Sequence, residues 1–223
     1  MANKEKEPRK AFVNGCLASY HNPFSNIAEQ YREIRNNIGF AAGGQCRSIA
    51  VTSPSDGDGK STAAVNLAIS LTQRGERVLI IDANIRKPML HYLFEAPLSP
   101  GMTEVIVGQS IPSDAIQQTG IENLSLLPAG ALVHGATDMT DSQAMTRLLE
   151  QAGESFDVLV MDCPSILESS DACSLASKCD GVVLMVTGGR THRKKALQSK
   201  KALDFGKAKL LGVVLNRNKK YAF

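Results

Sequence analysis

No stretch of the 223-residue sequence approaches the roughly 18 consecutive apolar residues that crossing a bilayer takes, so any membrane association is expected to be peripheral or through a partner. Residues 1–10 are charged and lack the apolar core of a secretory signal. The five cysteines, Cys16, Cys46, Cys163, Cys173 and Cys179, form no C-x-x-C pair, which removes the usual sign of zinc or redox chemistry and leaves reduced thiols of a cytosolic kind. The net charge is only +3, and its Lys and Arg excess lies in the last third without interleaved aromatics. Nucleic acid is therefore not expected as a partner. What remains is a globular balance, 43% hydrophobic and 21% charged, at a length suited to one α/β domain.

One stretch concentrates unusual chemistry. The apolar run Ser48-Ile-Ala-Val-Thr52 breaks into Ser53-Pro-Ser-Asp-Gly-Asp-Gly-Lys-Ser-Thr62 and restarts as a helical pattern. Gly57 and Gly59 remove side chains where backbone N–H groups have to converge on phosphate oxygens. Lys60 brings a charge for the β and γ phosphates, and Ser61 offers a hydroxyl to Mg²⁺. The nucleotide contacts are expected over Ser55, Asp56, Gly57, Asp58, Gly59, Lys60, Ser61 and Thr62, with a helix over 62–74 aiming its positive end at the same anion. The common pattern G-x-x-x-x-G-K-[ST] asks for Gly where Pro54 stands, so only the G-K-S half is strict. A glycine-rich turn with an exposed lysine is the competing reading.

Three segments are expected: a polar flexible arm over 1–22, a P-loop domain over 23–217 and a short tail over 218–223 with one tyrosine, Tyr221. Ile27, Tyr31, Ile34 and Ile38 share one stripe of a helix that Gly43-Gly44 ends. Glu29, Arg32 and Arg35 fall on another face, which by itself reads as a solvated face with an i,i+3 ion pair. Apolar strands are expected at 48–53, 78–82, 124–127, 158–162, 182–186 and 212–216, alternating with helices, which implies an α/β fold with a mostly parallel central sheet and helices on both faces. In such sheets sites lie beyond the carboxyl ends of strands, where Asp82 and Asp162 sit. Asp162 reads as a Walker B carboxylate for Mg²⁺ in preference to a helix cap. Asp82 would polarise a nucleophile or complete the metal shell. Asn216 and Arg217 are placed either to read the base or to end a strand in a plain turn. The basic helix over 192–205, with Arg193, Lys194, Lys195, Lys200 and Lys201, reads as a solvated face ahead of an acidic-lipid contact.

Thr52-Ser53 through Gly57-Asp58-Gly59-Lys60-Ser61-Thr62, then Val78-Leu-Ile-Ile-Asp82-Ala-Asn84-Ile-Arg86-Lys87-Pro88, then Phe156-Asp-Val-Leu-Val-Met-Asp162-Cys-Pro164, resemble the Walker A, A′ and B boxes of bacterial tyrosine kinases. These are the cytosolic kinase modules of capsule and exopolysaccharide synthesis, within the deviant-Walker P-loop ATPases. The likeness includes Glu29-x-x-Arg32-x-x-Arg35, resembling an N-terminal motif of the family, and runs over 26–217. It implies that Mg·ATP binds at the loop, with Arg86 among its contacts, and that the γ-phosphate passes to a tail tyrosine of a neighbouring subunit. Asp82 is then the base, Tyr221 the acceptor, and Glu29, Arg32 and Arg35 interface residues of a homo-oligomeric ring. It also implies an activator, the cytosolic tail of a membrane-spanning polysaccharide co-polymerase, and a cytoplasmic place at the inner face of the cell membrane.

Three departures bear on activity. Asn84 stands where the family has a second aspartate, Tyr221 replaces a tyrosine cluster, and 131–137 replaces a proline-rich stretch. Asp56 also stands where the family often has proline; a carboxylate there repels phosphate unless it points to solvent. A nucleotide-dependent assembly protein with little phosphotransfer is therefore a second expectation. A partitioning-type ATPase is a third, disfavoured because Ser55 occupies the position of those proteins' signature lysine.

Overall fold

The computed structural model describes residues 13–44, 46–132 and 143–217. In chain order the elements are α1 (Ala18–His21), α2 (Asn26–Ala42), β1 (Ser48–Thr52), α3 (Lys60–Thr72), β2 (Val78–Asp82), α4 (Leu90–Leu93), α5 (Met102–Ile106), α6 (Pro112–Ala115), β3 (Gln117–Gln118), β4 (Leu124–Leu127), α7 (Gln143–Ser155), β5 (Val158–Asp162), α8 (Ala172–Ser177), β6 (Gly181–Thr187), α9 (Arg193–Phe205) and β7 (Leu210–Asn216). The strands form one sheet in the order β3-β4-β2-β5-β1-β6-β7. Every neighbouring pair is parallel except β3 with β4.

Successive strand residues point to opposite faces, and here both faces are covered. Leu79 and Ile81 of β2 join a cluster with Met145, Leu148, Leu175 and Leu203 of the helices on one side. Val78 and Ile80 join a second cluster with Ile38, Ala64 and Leu67 of α2 and α3 on the other. Continuous apolar runs, and not alternation, are what such strands need, and the runs at 78–82 and 158–162 supply them.

The helix ends reflect local chemistry. Ser25 Oγ accepts the Ala28 N–H at 3.2 Å to start α2, and Gly43, at φ +75°, stops it in a left-handed turn. α3 begins at Lys60, two residues before the expected start, because Gly59 at φ +89° turns the loop straight into the first helical turn.

Part of the expected flexible arm is instead packed. Residues 13–16 and 18–21 are helical, and Val13, Cys16, Leu17 and Ser19 are buried. Asn66 of α3 holds this segment: its Oδ1 accepts the Ser19 N–H at 2.8 Å, and its Nδ2 donates to the Cys16 carbonyl at 2.6 Å. Val13, Cys16 and Leu17 recur at i, i+3 and i+4 and join the core cluster of α2 and α3, a helical stripe too short to stand out beside the charged residues 1–10, which is why the stretch reads as an arm. The two-residue β3 is likewise invisible in the sequence, since Gln117-Gln118 has neither length nor apolar character.

Candidate nucleotide and metal site

The sheet order sets β5 between β1 and β2, so the loop leaving β1 and the aspartates ending β2 and β5 meet at one rim. Asp82 and Asp162 are register partners on adjacent strands. Both are fully buried.

The loop is held from behind. A Cβ on Gly57 would meet the Arg190 guanidinium and one on Gly59 the Asn216 amide, side-chain ends that would have to move, and the positive φ at both positions is what requires glycine. Arg190 donates to the carbonyls of Gly57 at 2.8 Å and Asp56 at 2.9 Å. The Asp58 carboxylate accepts from the Thr191 hydroxyl at 2.8 Å and the Ser55 N–H at 3.3 Å. Its carbonyl accepts from Thr187 Oγ1 and Asn216 Nδ2, each at 3.2 Å. Lys195 Nζ donates to Ser55 Oγ at 2.9 Å. Asp58, expected as a nucleotide contact, thus has its side chain committed to bracing the loop, and Asn216 reaches the loop itself. Gly59 caps α3 without a side chain, so the first-turn N–H groups of Lys60, Ser61 and Thr62 form the helix's positive end.

The two aspartates differ in their partners. Asp82 accepts three backbone N–H bonds, from Asn84 at 3.1 Å on Oδ1 and from Met89 and Leu90 at 2.9 Å each on Oδ2. Burial raises its pKa, and these donors oppose the rise. Neither oxygen of Asp162 has a hydrogen-bond partner among the described residues. Burial first, and the neighbouring Asp82 second, push Asp162 up to about 7, while Lys60 and the nearby Ser61 hydroxyl pull it down. Asp162 does not cap the next helix, since the residue before α8 is Asp171.

Such a pair fits a divalent cation. Two adjacent buried carboxylates repel, and an orphaned carboxylate among apolar strands is costly unless a positive charge meets it. No group of three or more His, Cys, Asp or Glu side chains is gathered for a metal among the described residues. A cation here would take most of its shell from phosphate oxygens and water, the usual habit of Mg²⁺.

Lys60 is buried beside this pair and 3.7 Å from Asp56 Oδ1. Asp56 is half-buried and neutralised in place: Ser165 Oγ donates to its Oδ1 at 2.6 Å, and Lys87 Nζ pairs with Oδ2 at 2.5 Å. Burial would raise the Asp56 pKa, but the Lys87 and Ser165 hydrogen bonds and the Lys60 charge hold it at about 2. Arg86 is exposed on the loop after β2, and Arg217, at φ +53°, comes directly after β7.

Glu29, Arg32 and Arg35 lie elsewhere. Arg32 pairs with Glu29 at 2.5 Å and donates to the Pro23 carbonyl. Arg35 donates to the Ser70 carbonyl in the last turn of α3, at the opposite end of that helix from Lys60. The face is therefore not simply solvated: both arginines tie α2 to neighbouring backbone. Tyr221 lies outside the described residues.

Sequence reading passes over Ser165, Arg190 and Thr191, gives Lys87 no role of its own, and reads Lys195 as part of a solvated helix face where the structure sets it on Ser55. Their partners sit 31 to 140 positions away, so no local spacing announces them.

A phosphate loop opening a helix, beside two strand-end aspartates on a mostly parallel sheet, defines a P-loop nucleotide-binding protein. Residues 46–190 match the family described as "AAA domain". The chain is 38% identical over 198 residues, 88% of its length and 84% of the relative's, to the tyrosine-protein kinase YwqD of Bacillus subtilis. It is 32% identical over 199 residues to the succinoglycan biosynthesis transport protein ExoP of Rhizobium meliloti, covering 87% of this chain and 25% of that one. Among solved structures, the chimerical protein CapA2B2 superposes with a TM-score of 0.87 at 33% identity, over 91% of this chain and 90% of that one. The cobyrinic acid a,c-diamide synthase of Mycobacterium smegmatis, with bound ATP analogue and magnesium, superposes at 0.67 with 26% identity, over 77% and 75%. The chain belongs to the bacterial tyrosine-protein kinase family of the P-loop proteins.

Proposed function

We infer that this chain is an ATP-dependent protein-tyrosine autokinase of capsule or exopolysaccharide synthesis, passing the ATP γ-phosphate to the tail tyrosine Tyr221 of a neighbouring copy. The observation that carries the reading is the orphaned carboxylate of Asp162, paired with Asp82 at the rim where the Lys60 loop begins its helix. The family's kinase names and the ATP and magnesium of the solved relative support it.

Lys60 and the N–H groups of the loop and first turn of α3 bind and orient the phosphates. Ser61 and Asp162 would hold Mg²⁺, which when bound neutralises charge developing on the transferred phosphoryl group. The attacking tyrosine must lose its proton. With a free pKa of about 10, ionising it at pH 7 costs roughly 4 kcal/mol, and a carboxylate that accepts the proton as the bond forms is worth about 10² to 10⁴ in rate. Asp82 is the proposed acceptor. Its Oδ2 is engaged by two N–H groups, and Oδ1, with only Asn84 N–H on it, keeps a lone pair for the proton. Arg86, Asn216 and Arg217 complete the nucleotide surroundings at the rim.

Glu29, Arg32 and Arg35 pair protomers in the ring. The exposed Glu29, on a helix pinned by the two arginines, is the group available to a neighbour. The match of this chain to a quarter of ExoP, a transport protein, fits a module that works beside a membrane partner's cytosolic tail at the inner face of the membrane. No helix among the described residues is long and apolar enough to cross a membrane, so that partner would provide the attachment.

A second reading, a nucleotide-binding assembly protein with little phosphotransfer, is favoured by Asn84 and by the commitment of Asp82 to backbone donors. Incubation with Mg·ATP, alone and with a candidate partner's cytosolic tail, separates the two. Phosphotyrosine on wild type but not on Lys60→Met supports the kinase. Nucleotide binding with no phosphotyrosine under either condition rules it out in favour of the assembly protein.

A further inference from the structure

The phosphate loop carries an anion of its own. Asp56 lies 3.7 Å from Lys60, accepts the Ser165 hydroxyl at 2.6 Å and meets Lys87 at 2.5 Å. Its backbone is fixed as well: the Asp56 N–H donates to Glu168 Oε2 at 3.2 Å, and its carbonyl accepts from Arg190. Two ammonium groups and a hydroxyl around one carboxylate are the donor set that a phosphate oxygen takes. One of those ammonium groups is the lysine that the β and γ phosphates need.

The three partners come from three different places. Lys60 opens α3, Lys87 lies beyond β2 and Ser165 beyond β5. Asp56 therefore links the loop to both segments that leave the strand-end aspartates. An isolated surface ion pair would involve one neighbour, and removing it would change little. Here the carboxylate shares a buried lysine with the incoming ligand, so a phosphate reaching Lys60 meets a like charge beside it.

We propose that Asp56 sets the affinity for nucleotide by competing with the phosphates for Lys60, with Lys87 and Ser165 holding the carboxylate when phosphate displaces it from that lysine. The proposal rests on the reading above that Lys60 binds phosphate. Lys87 then acts as a positioning residue: its ammonium draws Asp56 away from Lys60. Because the γ-phosphate adds charge at Lys60, the competition weighs more on the triphosphate than on the diphosphate.

Calorimetric titration of the full chain with Mg·ATP and Mg·ADP tests this in wild type, Asp56→Asn, Lys87→Gln and the double variant, each checked by thermal unfolding. Asp56→Asn is expected to bind Mg·ATP about tenfold tighter, a scale between an exposed and a desolvated charge pair, and Mg·ADP less so. Lys87→Gln is expected to weaken Mg·ATP binding severalfold, and to lose that effect once Asn stands at 56. An equal loss from Lys87→Gln in both backgrounds would mean that Lys87 contacts phosphate directly and would overturn its positioning role. Asp56→Asn binding Mg·ATP no tighter than a wild type that does bind it would overturn the competition, with Asp56→Ser measured in its place if the Asn variant does not fold. A wild type that fails to bind Mg·ATP would instead refute the nucleotide reading and this proposal with it.

Discussion

At the scale of single residues, the two strand-end aspartates look alike in the sequence and differ in the structure. Asp82 closes β2 and Asp162 closes β5 after equally apolar runs, yet three backbone N–H groups are aimed at the first and none at the second. The difference lies in the path of the chain beyond each strand: after Asp82 it doubles back so that Met89 and Leu90 face the carboxylate, and no residue spacing encodes that turn. A buried carboxylate with no backbone donor and only the Ser61 hydroxyl near it is unfavourable for folding and useful to a cation. Asp162→Asn is therefore expected to raise the stability of the metal-free protein by about 1–3 kcal/mol, while abolishing the Mg²⁺ dependence of nucleotide binding. Thermal unfolding and titration with and without Mg²⁺ read both effects, and a destabilised variant that still responds to Mg²⁺ contradicts the assignment.

At the scale of elements, the legible part was the part that periodicity records. The strands ending in Asp82 and Asp162, and β4 at Leu124–Leu127, have the bounds expected from their apolar runs. Gly43 ends α2 as its conformational freedom suggests. The elements that escape are too short for a periodic pattern to stand out. β3 has only two polar residues, and the segment before α2 combines the buried Val13, Cys16 and Leu17 with one buried amide, Asn66, whose Nδ2 also donates to the Thr62 carbonyl in the first turn of α3. Replacing that amide removes the donors and acceptor together. Asn66→Ala is expected to cost about 1–3 kcal/mol and to speed hydrogen exchange at residues 13–22 well ahead of the sheet. Unchanged protection there would show that Val13, Cys16 and Leu17 hold the segment by themselves. The site shows the same division: the loop, Lys60 and both aspartates are legible because they sit at strand ends, whereas Arg190 and Lys87 depend on tertiary meetings that a linear pattern does not contain.

At the scale of the whole molecule, the rim that gathers the loop and the aspartates is also where the described chain ends, at β7, whose Asn216 touches the loop. Tyr221 stands four positions past Arg217. Four residues span at most about 14 Å of backbone, so transfer between copies requires a neighbour's site within that distance of Arg217 plus the length of the tyrosine side chain. A complementation experiment decides between transfer within and between copies. Lys60→Met retains the acceptor and lacks the phosphate lysine, and Tyr221→Phe has the reverse defect. Phosphotyrosine is expected in their mixture and in neither variant alone, and silence in the mixture beside an active wild type would place the transfer within one copy. The bracing of the loop by Arg190, Thr191 and Asn216 has a kinetic meaning as well. Fixing a residue's backbone costs about 1–2 kcal/mol of conformational entropy. A loop already held by five hydrogen bonds from the ends of β6 and β7 has met that cost in folding. Nucleotide association then does not wait for the loop to take shape, only for phosphate to displace Asp56 from Lys60.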